Sequence, residues 1–168
     1  MLTPNALFVE QAQIVPFFMP VNLSSGALTG DVISMKNFEK CTIVFLAGVG
    51  AASQDPTITV LQATSVAPSN AKALNFTRID VKQASALTSV GAYTTVTQSA
   101  GNTYTSDTSG ETQKLWVIEI SAQDLDTDNS FDCVQVTMAD PGTATHIGTC
   151  FAILWGSRYM PPGSAIAN

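Results

Sequence analysis

The turn from Asp124 to Asp132 holds the residues best suited to chemistry. Carboxylates stand at its first, third and fifth positions, as do the oxygen ligands that begin a calcium-binding loop. The sixth position is Asn129, where such a loop needs glycine, and the twelfth is Gln135, which cannot supply a bidentate carboxylate. We interpret the segment as a solvated acidic turn that caps the backbone between two strands, with calcium binding as the open alternative.

The single histidine, His146, is the candidate general base of a hydrolase. A Ser-His-Asp triad needs a carboxylate that holds the histidine and a nucleophile that faces it. Asp140 lies six residues earlier and serines are plentiful, but no nucleophile-elbow spacing accompanies them. The sequence therefore favours a histidine at a strand edge or in a loop over a catalytic one.

Cys41, Cys133 and Cys150 stand in apolar surroundings without the spacing of metal ligands. We predict three reduced thiols in the core and no disulfide framework.

No Lys or Arg precedes Lys36, so the positive start of a signal peptide is missing. The longest nearly apolar stretch, residues 43–52, is shorter than a membrane span. We therefore expect synthesis in a cytoplasm and no membrane partner.

The composition excludes two classes of protein. Of the 168 residues, 45% are hydrophobic and only 12% are charged, and the mean hydropathy is +0.21. Too much apolar content and too little charge are present for an intrinsically disordered chain. Seven basic residues against thirteen acidic ones argue against a nucleic-acid partner.

Short β-type runs separated by turn residues dominate the chain. Residues 14–23 contain Pro16 and Pro20, which predicts an edge strand or an extended arm because proline donates no hydrogen bond. Residues 41–47 form a continuous apolar run, typical of a strand buried on both faces. Further strands are predicted at residues 31–35, 57–64, 74–81, 93–97, 115–120, 131–138 and 147–155. The eight or nine strands predict an all-β antiparallel sandwich, first a jelly roll and second a closed barrel.

Helical signals are limited to single turns at residues 37–40 and 121–126, the second with Ser121 as its N-cap, and to a pattern at residues 5–13 that ends before Pro16. The polar residues 98–113 predict a hairpin tip or a long exposed loop that presents Tyr104. Four aromatic residues are predicted in the core: Phe17, Phe18, Trp116 and Trp155. We divide the chain into an N-terminal arm (1–13), one β-sandwich domain (14–160) and a C-terminal tail (161–168).

Several segments together resemble the cement or decoration proteins that lock the heads of tailed bacteriophages. They are residues 30–46, 62–64, 71–76, 115–126, 131–136 and 158–162, so the likeness covers most of the chain from Gly30. The resemblance implies a jelly-roll or β-sandwich fold, no enzymatic activity and no cofactor or metal. It further implies a place on the outer capsid surface of the virion, with the major capsid protein and copies of this chain, as a dimer or trimer, for partners.

Low charge and extended termini agree with that resemblance. Charged residues are depleted in the centres of protein interfaces, and a proline-bearing arm can lie across neighbouring subunits. Six residues of the two termini are the predicted contacts with the capsid or with a neighbouring subunit: Leu7, Phe8, Val9, Tyr159, Met160 and Pro161.

Three alternatives stay open from the sequence. The first is a receptor- or glycan-binding β-sandwich module of a phage fibre, with Tyr104 presented by its loop. The second is a hydrolase that uses His146. The third is a bacterial β-sandwich of another role.

Overall fold

The computed structural model describes residues 7–67, 70–84, 91–105 and 113–158. These residues are almost entirely strands and their connections. The strands are β1 (Ala12–Asn22), β2 (Leu28–Ser34), β3 (Phe38–Ala47), β4 (Thr57–Ala63), β5 (Lys72–Ala73), β6 (Phe76–Ala84), β7 (Thr94–Gly101), β8 (Thr103–Thr105), β9 (Gln113–Ser121), β10 (Cys133–Ala139) and β11 (Ile147–Ser157). Helical turns are α1 (Phe8–Gln11) and the 3-10 turns Leu23–Ser25, Ala122–Asp124 and Thr127–Asn129.

Two antiparallel sheets pack face to face. The large sheet has the order β1-β11-β3-β9-β6-β7, and the small sheet has the order β2-β10-β4-β5, with β8 also paired to β4. The chain changes sheet at each step from β1 to β4 and from β9 to β11. The predicted all-β antiparallel sandwich is confirmed.

Alternation along β9 shows how the core forms. Trp116, Ile118 and Ile120 point inward and are buried, whereas the residues between them face outward. The Trp116 ring stacks at 4.7 Å on Phe45 and meets Tyr104 edge to face at 4.9 Å, both between ring centroids. Trp116 therefore occupies the centre of the core, where it joins β9 to β3 and to β8.

Among the described strands, the proline-bearing strand β1 lies at the edge of the large sheet and pairs only with β11. Its register shifts twice, between Pro16 and Phe18 and between Phe18 and Val21. Proline has no backbone N–H to donate, and an edge strand needs hydrogen bonds to a neighbour on one side only. The register shifts make the open side of β1 irregular, which hinders pairing with a further strand. The prediction of an edge strand is confirmed, with the strand beginning at Ala12 rather than at residue 14.

Of two predictions about local structure in the second half of the chain, one is confirmed and the other is partly wrong. The turn predicted at residues 121–126 is present, and Ser121 N donates to Asp124 Oδ2 at 2.7 Å. The exposed loop predicted at residues 98–113 is wrong over its first half, since β7 and β8 occupy most of it; residues 106–112 lie outside the described residues.

The presentation of Tyr104 by an exposed loop is wrong as well. Tyr104 is 8% exposed and pairs with Ile58 of β4, where its ring reaches Trp116. A polar neighbourhood in the sequence concealed an inward-facing aromatic residue, because Thr103 and Thr105 on either side of it face solvent.

The helical turn predicted at residues 37–40 is also wrong. Phe38 already begins β3, and its N–H closes the preceding turn on Met35 O at 2.9 Å. Phe38 is buried, so packing of this side chain favours the strand over a helical turn.

Gly30 allows β1 and β10 to approach β2 closely. A Cβ at this position would lie 2.5 Å from Val136 O and 2.9 Å from Phe17 Cβ. Because backbone atoms cannot move aside cheaply, we expect Gly30→Ala to lower the free energy of unfolding by about 1–3 kcal/mol in urea denaturation. Gly101→Ala is the control, since its Cβ would meet nothing nearer than 3.6 Å. Equal losses in the two variants would contradict the close approach.

Candidate functional site

A buried polar cluster lies at one end of the sandwich, formed by Lys114, His146 and the carbonyl of Gly48. Lys114 and His146 are 0% and 1% exposed. Lys114 Nζ donates to Gly48 O at 2.7 Å and lies 3.3 Å from His146 Nε2, which in turn lies 3.0 Å from Gly48 O. Charged side chains are almost never buried so completely without partners, so this is the most unusual chemical feature of the described residues.

The alternation of β9 carries Lys114 inward. Lys114 shares the inner face with Trp116 and Ile118, and it is paired across the sheet with Ala47 and Gln83. Lys114 was not among the residues predicted from the sequence. Residues two apart in a strand lie on the same face, so the position of Lys114 two residues before Trp116 was the available signal. The side chain of a lysine at the start of a strand is, however, ordinarily expected to face solvent.

His146 is held tightly by its surroundings. Its backbone N–H donates to Asn22 Oδ1 at 2.9 Å and its carbonyl accepts from Leu23 N at 2.7 Å, which ties the end of β1 to the start of β11. A Cβ on Gly50 would lie 3.0 Å from the imidazole Cε1 and Nδ1. Nδ1 is buried and has no hydrogen-bond partner among the described residues.

These surroundings favour the neutral imidazole. Desolvation, and then the nearby ammonium of Lys114, lower the pKa of His146, whereas the carbonyl of Gly48 and the charge of Asp55 act in the opposite direction. Asp140 does not orient the ring, since its Oδ1 accepts from Gly142 N at 2.9 Å. The described residues therefore do not bring His146 and Asp140 together as a triad would require.

The acidic turn uses its carboxylates within the protein. Asp126 accepts from Lys72 Nζ and, at 2.9 Å, from Asn129 Nδ2, and these hydrogen bonds lower its pKa. Together with the bond from Ser121 N to Asp124, they agree with the interpretation as a capped turn. Within residues 7–67, 70–84, 91–105 and 113–158, no three His, Cys, Asp or Glu side chains converge on a possible metal position.

The cysteines behave as predicted. Cys41, Cys133 and Cys150 are free and buried. Burial raises the pKa of the Cys41 and Cys150 thiols, and burial with the neighbouring Asp132 raises the pKa of Cys133 to about 12. A thiol protonated at neutral pH is a poor nucleophile, so the core thiols serve packing.

The predicted N-terminal contact residues are available for binding. Leu7, Phe8 and Val9 are 68%, 41% and 65% exposed, at and within α1. Three consecutive exposed apolar residues are unusual for a short surface turn, because burial against a partner is what stabilises such side chains. The predicted C-terminal contacts, Tyr159, Met160 and Pro161, lie outside the described residues.

Comparison with protein-family models, with curated proteins and with solved structures finds no match to this chain. Across the described residues, the helices are all too short to span a bilayer.

Proposed function

We propose that this chain is a structural cement protein that binds the outside of a tailed-bacteriophage head and stabilises contacts between major capsid protein subunits. The observation that carries the proposal is the run of exposed apolar residues Leu7, Phe8 and Val9 beside the edge of a rigid sandwich. A cement protein needs a stable core and an adhesive arm, and it needs neither a catalytic site nor a cofactor. The resemblance of the sequence to phage decoration proteins supports the same role.

We also infer that the sandwich is a jelly roll with an insertion. The strand orders β1-β11-β3-β9 and β2-β10-β4-β5 correspond to the two four-stranded sheets of a double Greek key. The strands β6, β7 and β8 then form the insertion between the fifth and sixth strands of the jelly roll. Folds of this class serve many functions, so the inference bears on architecture and leaves the capsid role to its own test.

The fibre-module alternative loses its proposed ligand contact. It depended on Tyr104 reaching a receptor or glycan from an exposed loop. Tyr104 packs against Trp116 instead, so its ring is buried in the core and does not face a ligand in solution.

Sedimentation with phage heads tests the capsid role. Purified protein is mixed with heads that lack it, and the copies bound per particle are counted. We expect saturable binding by the wild type and at least a tenfold weaker affinity for the triple variant Leu7→Ser, Phe8→Ser and Val9→Ser, because three apolar contacts are removed.

The control for this experiment is Met19→Ser, which removes an apolar side chain that is 67% exposed on β1, outside the arm. It should bind heads as the wild type does. Heads that take up no wild-type protein would refute the capsid role, and full binding by the triple variant would refute the assignment to the arm.

A further inference from the structure

We propose that the outer face of the large sheet is an interface that a second copy of this chain covers. The proposal concerns self-association and does not depend on the capsid role. The apolar face, as we call it, consists of outward-facing residues on four neighbouring strands: Ile14 and Pro16 of β1, Ile147, Phe151 and Ile153 of β11, Val44 and Leu46 of β3, and Leu115 and Val117 of β9.

The strand register makes these residues contiguous. Pro16 pairs with Phe151, Phe151 with Val44, and Val44 with Val117. Side chains in such a row stand on the same face about 5 Å apart, so one apolar row crosses all four strands.

A sandwich exposed to water ordinarily has polar outer faces. The small sheet follows that rule at its centre, where Thr59 is paired with Thr137. The large sheet does not, since Ile14, Leu46 and Ile147 are 58%, 39% and 51% exposed on its outer face. These three side chains surround an apolar centre at Val44, which is 7% exposed, and exposed apolar residues grouped on one face mark an interaction surface.

The rim of the apolar face carries charges of both signs. Lys40 and Glu119 lie at one end, and Arg78, Asp80 and Lys82 follow the neighbouring strand β6. Arg78 and Asp80 form an ion pair with each other at 3.0 Å, so Lys40, Lys82 and Glu119 are the rim charges outside that pair.

A mixed rim suits an identical partner, because each copy offers both the cations and the anions that the other needs. An apolar centre enclosed by a polar rim is also the usual anatomy of a protein interface. The polar groups at the end of the face are satisfied within the chain: Trp155 Nε1 donates to Thr42 Oγ1 at 2.9 Å, and Thr42 Oγ1 donates to Glu119 at 2.6 Å. Two copies can therefore meet without leaving these groups unpaired.

The size of the face fits a weak, specific dimer. Four strands about 4.8 Å apart and seven residues of about 3.3 Å each give a face of about 440 Å². The faces and rims of two copies together have nearly the roughly 1,000 Å² of total buried surface above which interfaces are usually specific.

Sedimentation equilibrium of the purified full chain between about 5 and 500 μM tests the proposal. We expect the wild-type mass to rise with concentration from the 17.6 kDa of one chain towards twice that value. Leu46→Lys and Ile14→Lys, made separately, should each weaken association at least tenfold, because each would place a charge among the apolar side chains of the face, where no carboxylate lies. Thr29→Lys on β2 adds the same charge to an exposed position of the small sheet and should associate as the wild type does.

Circular dichroism and thermal unfolding of each variant show that the fold is kept, and Ile14 serves as the safer position because it lies on the edge strand. A wild type that stays monomeric at 500 μM would overturn the proposal. Self-association that survives both lysine substitutions would overturn it too. Loss of binding to phage heads by a monomeric Leu46→Lys variant, beside a monomeric wild type, would assign the face to the capsid protein instead.

Discussion

Trp116→Ala is expected to lower the free energy of unfolding by about 3–5 kcal/mol, a loss at the upper end of what one core substitution causes. Trp116 is fully buried, packs against the rings of Phe45 and Tyr104, and donates its indole N–H to Gln83 Oε1 at 3.2 Å. Alanine would leave a cavity between the two sheets and would remove this hydrogen bond. Urea denaturation followed by circular dichroism measures the loss.

The same substitution at the other tryptophan is the matched control. Trp155 lies on the outer side of β11, is only half-buried, and donates to Thr42 Oγ1. Its removal opens no cavity in the core, so we expect a smaller loss than at Trp116. A loss at Trp155 that equals or exceeds the loss at Trp116 would contradict the central position of Trp116 in the core.

Acid is expected to destabilise the protein between pH 7 and pH 5 through His146. The pKa of His146 in the folded protein lies below the 6.5 of an ordinary histidine, so the unfolded chain binds a proton more readily in this range. The free energy of unfolding should fall by up to about 1.4 kcal/mol for each unit of pH below 6.5, until the folded pKa is reached. Urea titrations at half-unit intervals of pH measure this slope.

His146→Gln isolates the effect, because the chain has no other histidine. This variant should be less stable at pH 7 but should keep nearly constant stability from pH 7 to pH 5. Asp80 and Asp126 do not interfere above pH 5, because their carboxyls titrate near 3.8 in the unfolded chain and hydrogen bonds from Arg78 and Lys72 lower their pKa in the folded protein. An unchanged slope in His146→Gln would show that another group is responsible.

Local patterns were sufficient to predict most of the sandwich. Short β-type runs identified β4 and β9, and the prolines at positions 16 and 20 identified an edge strand before any pairing was known. These signals succeed because each depends only on the residues of one short run or on a missing backbone donor. The thiols were predictable for a similar reason, since small apolar side chains within apolar runs are buried whatever the topology.

The features that failed depend on contacts between distant segments. Tyr104 stands in a polar stretch, and only the pairing of β8 with β4 turns its ring towards Trp116. Lys114 is 32 residues from His146, and its burial follows from a register that no local pattern reports. The continuous run at residues 41–47 was interpreted as buried on both faces; the inner face is buried by the sandwich, whereas Leu46 on the outer face remains exposed.

The pairing of β1 with β11 constrains how this chain can be made. Ala12 pairs with Trp155, and β11 lies between β1 and β3, both of which leave the ribosome much earlier. Translation adds about 5–20 residues per second, so β11 is completed several seconds or more after β3. Until then, β1 and the uncharged stretch of β3 from Cys41 to Ala47 lack the strand with which both pair. During synthesis the unpaired edge of β3 can therefore bind strands of other chains. High yields of native protein should depend on chaperones that shield the nascent chain until residue 157 has been synthesised.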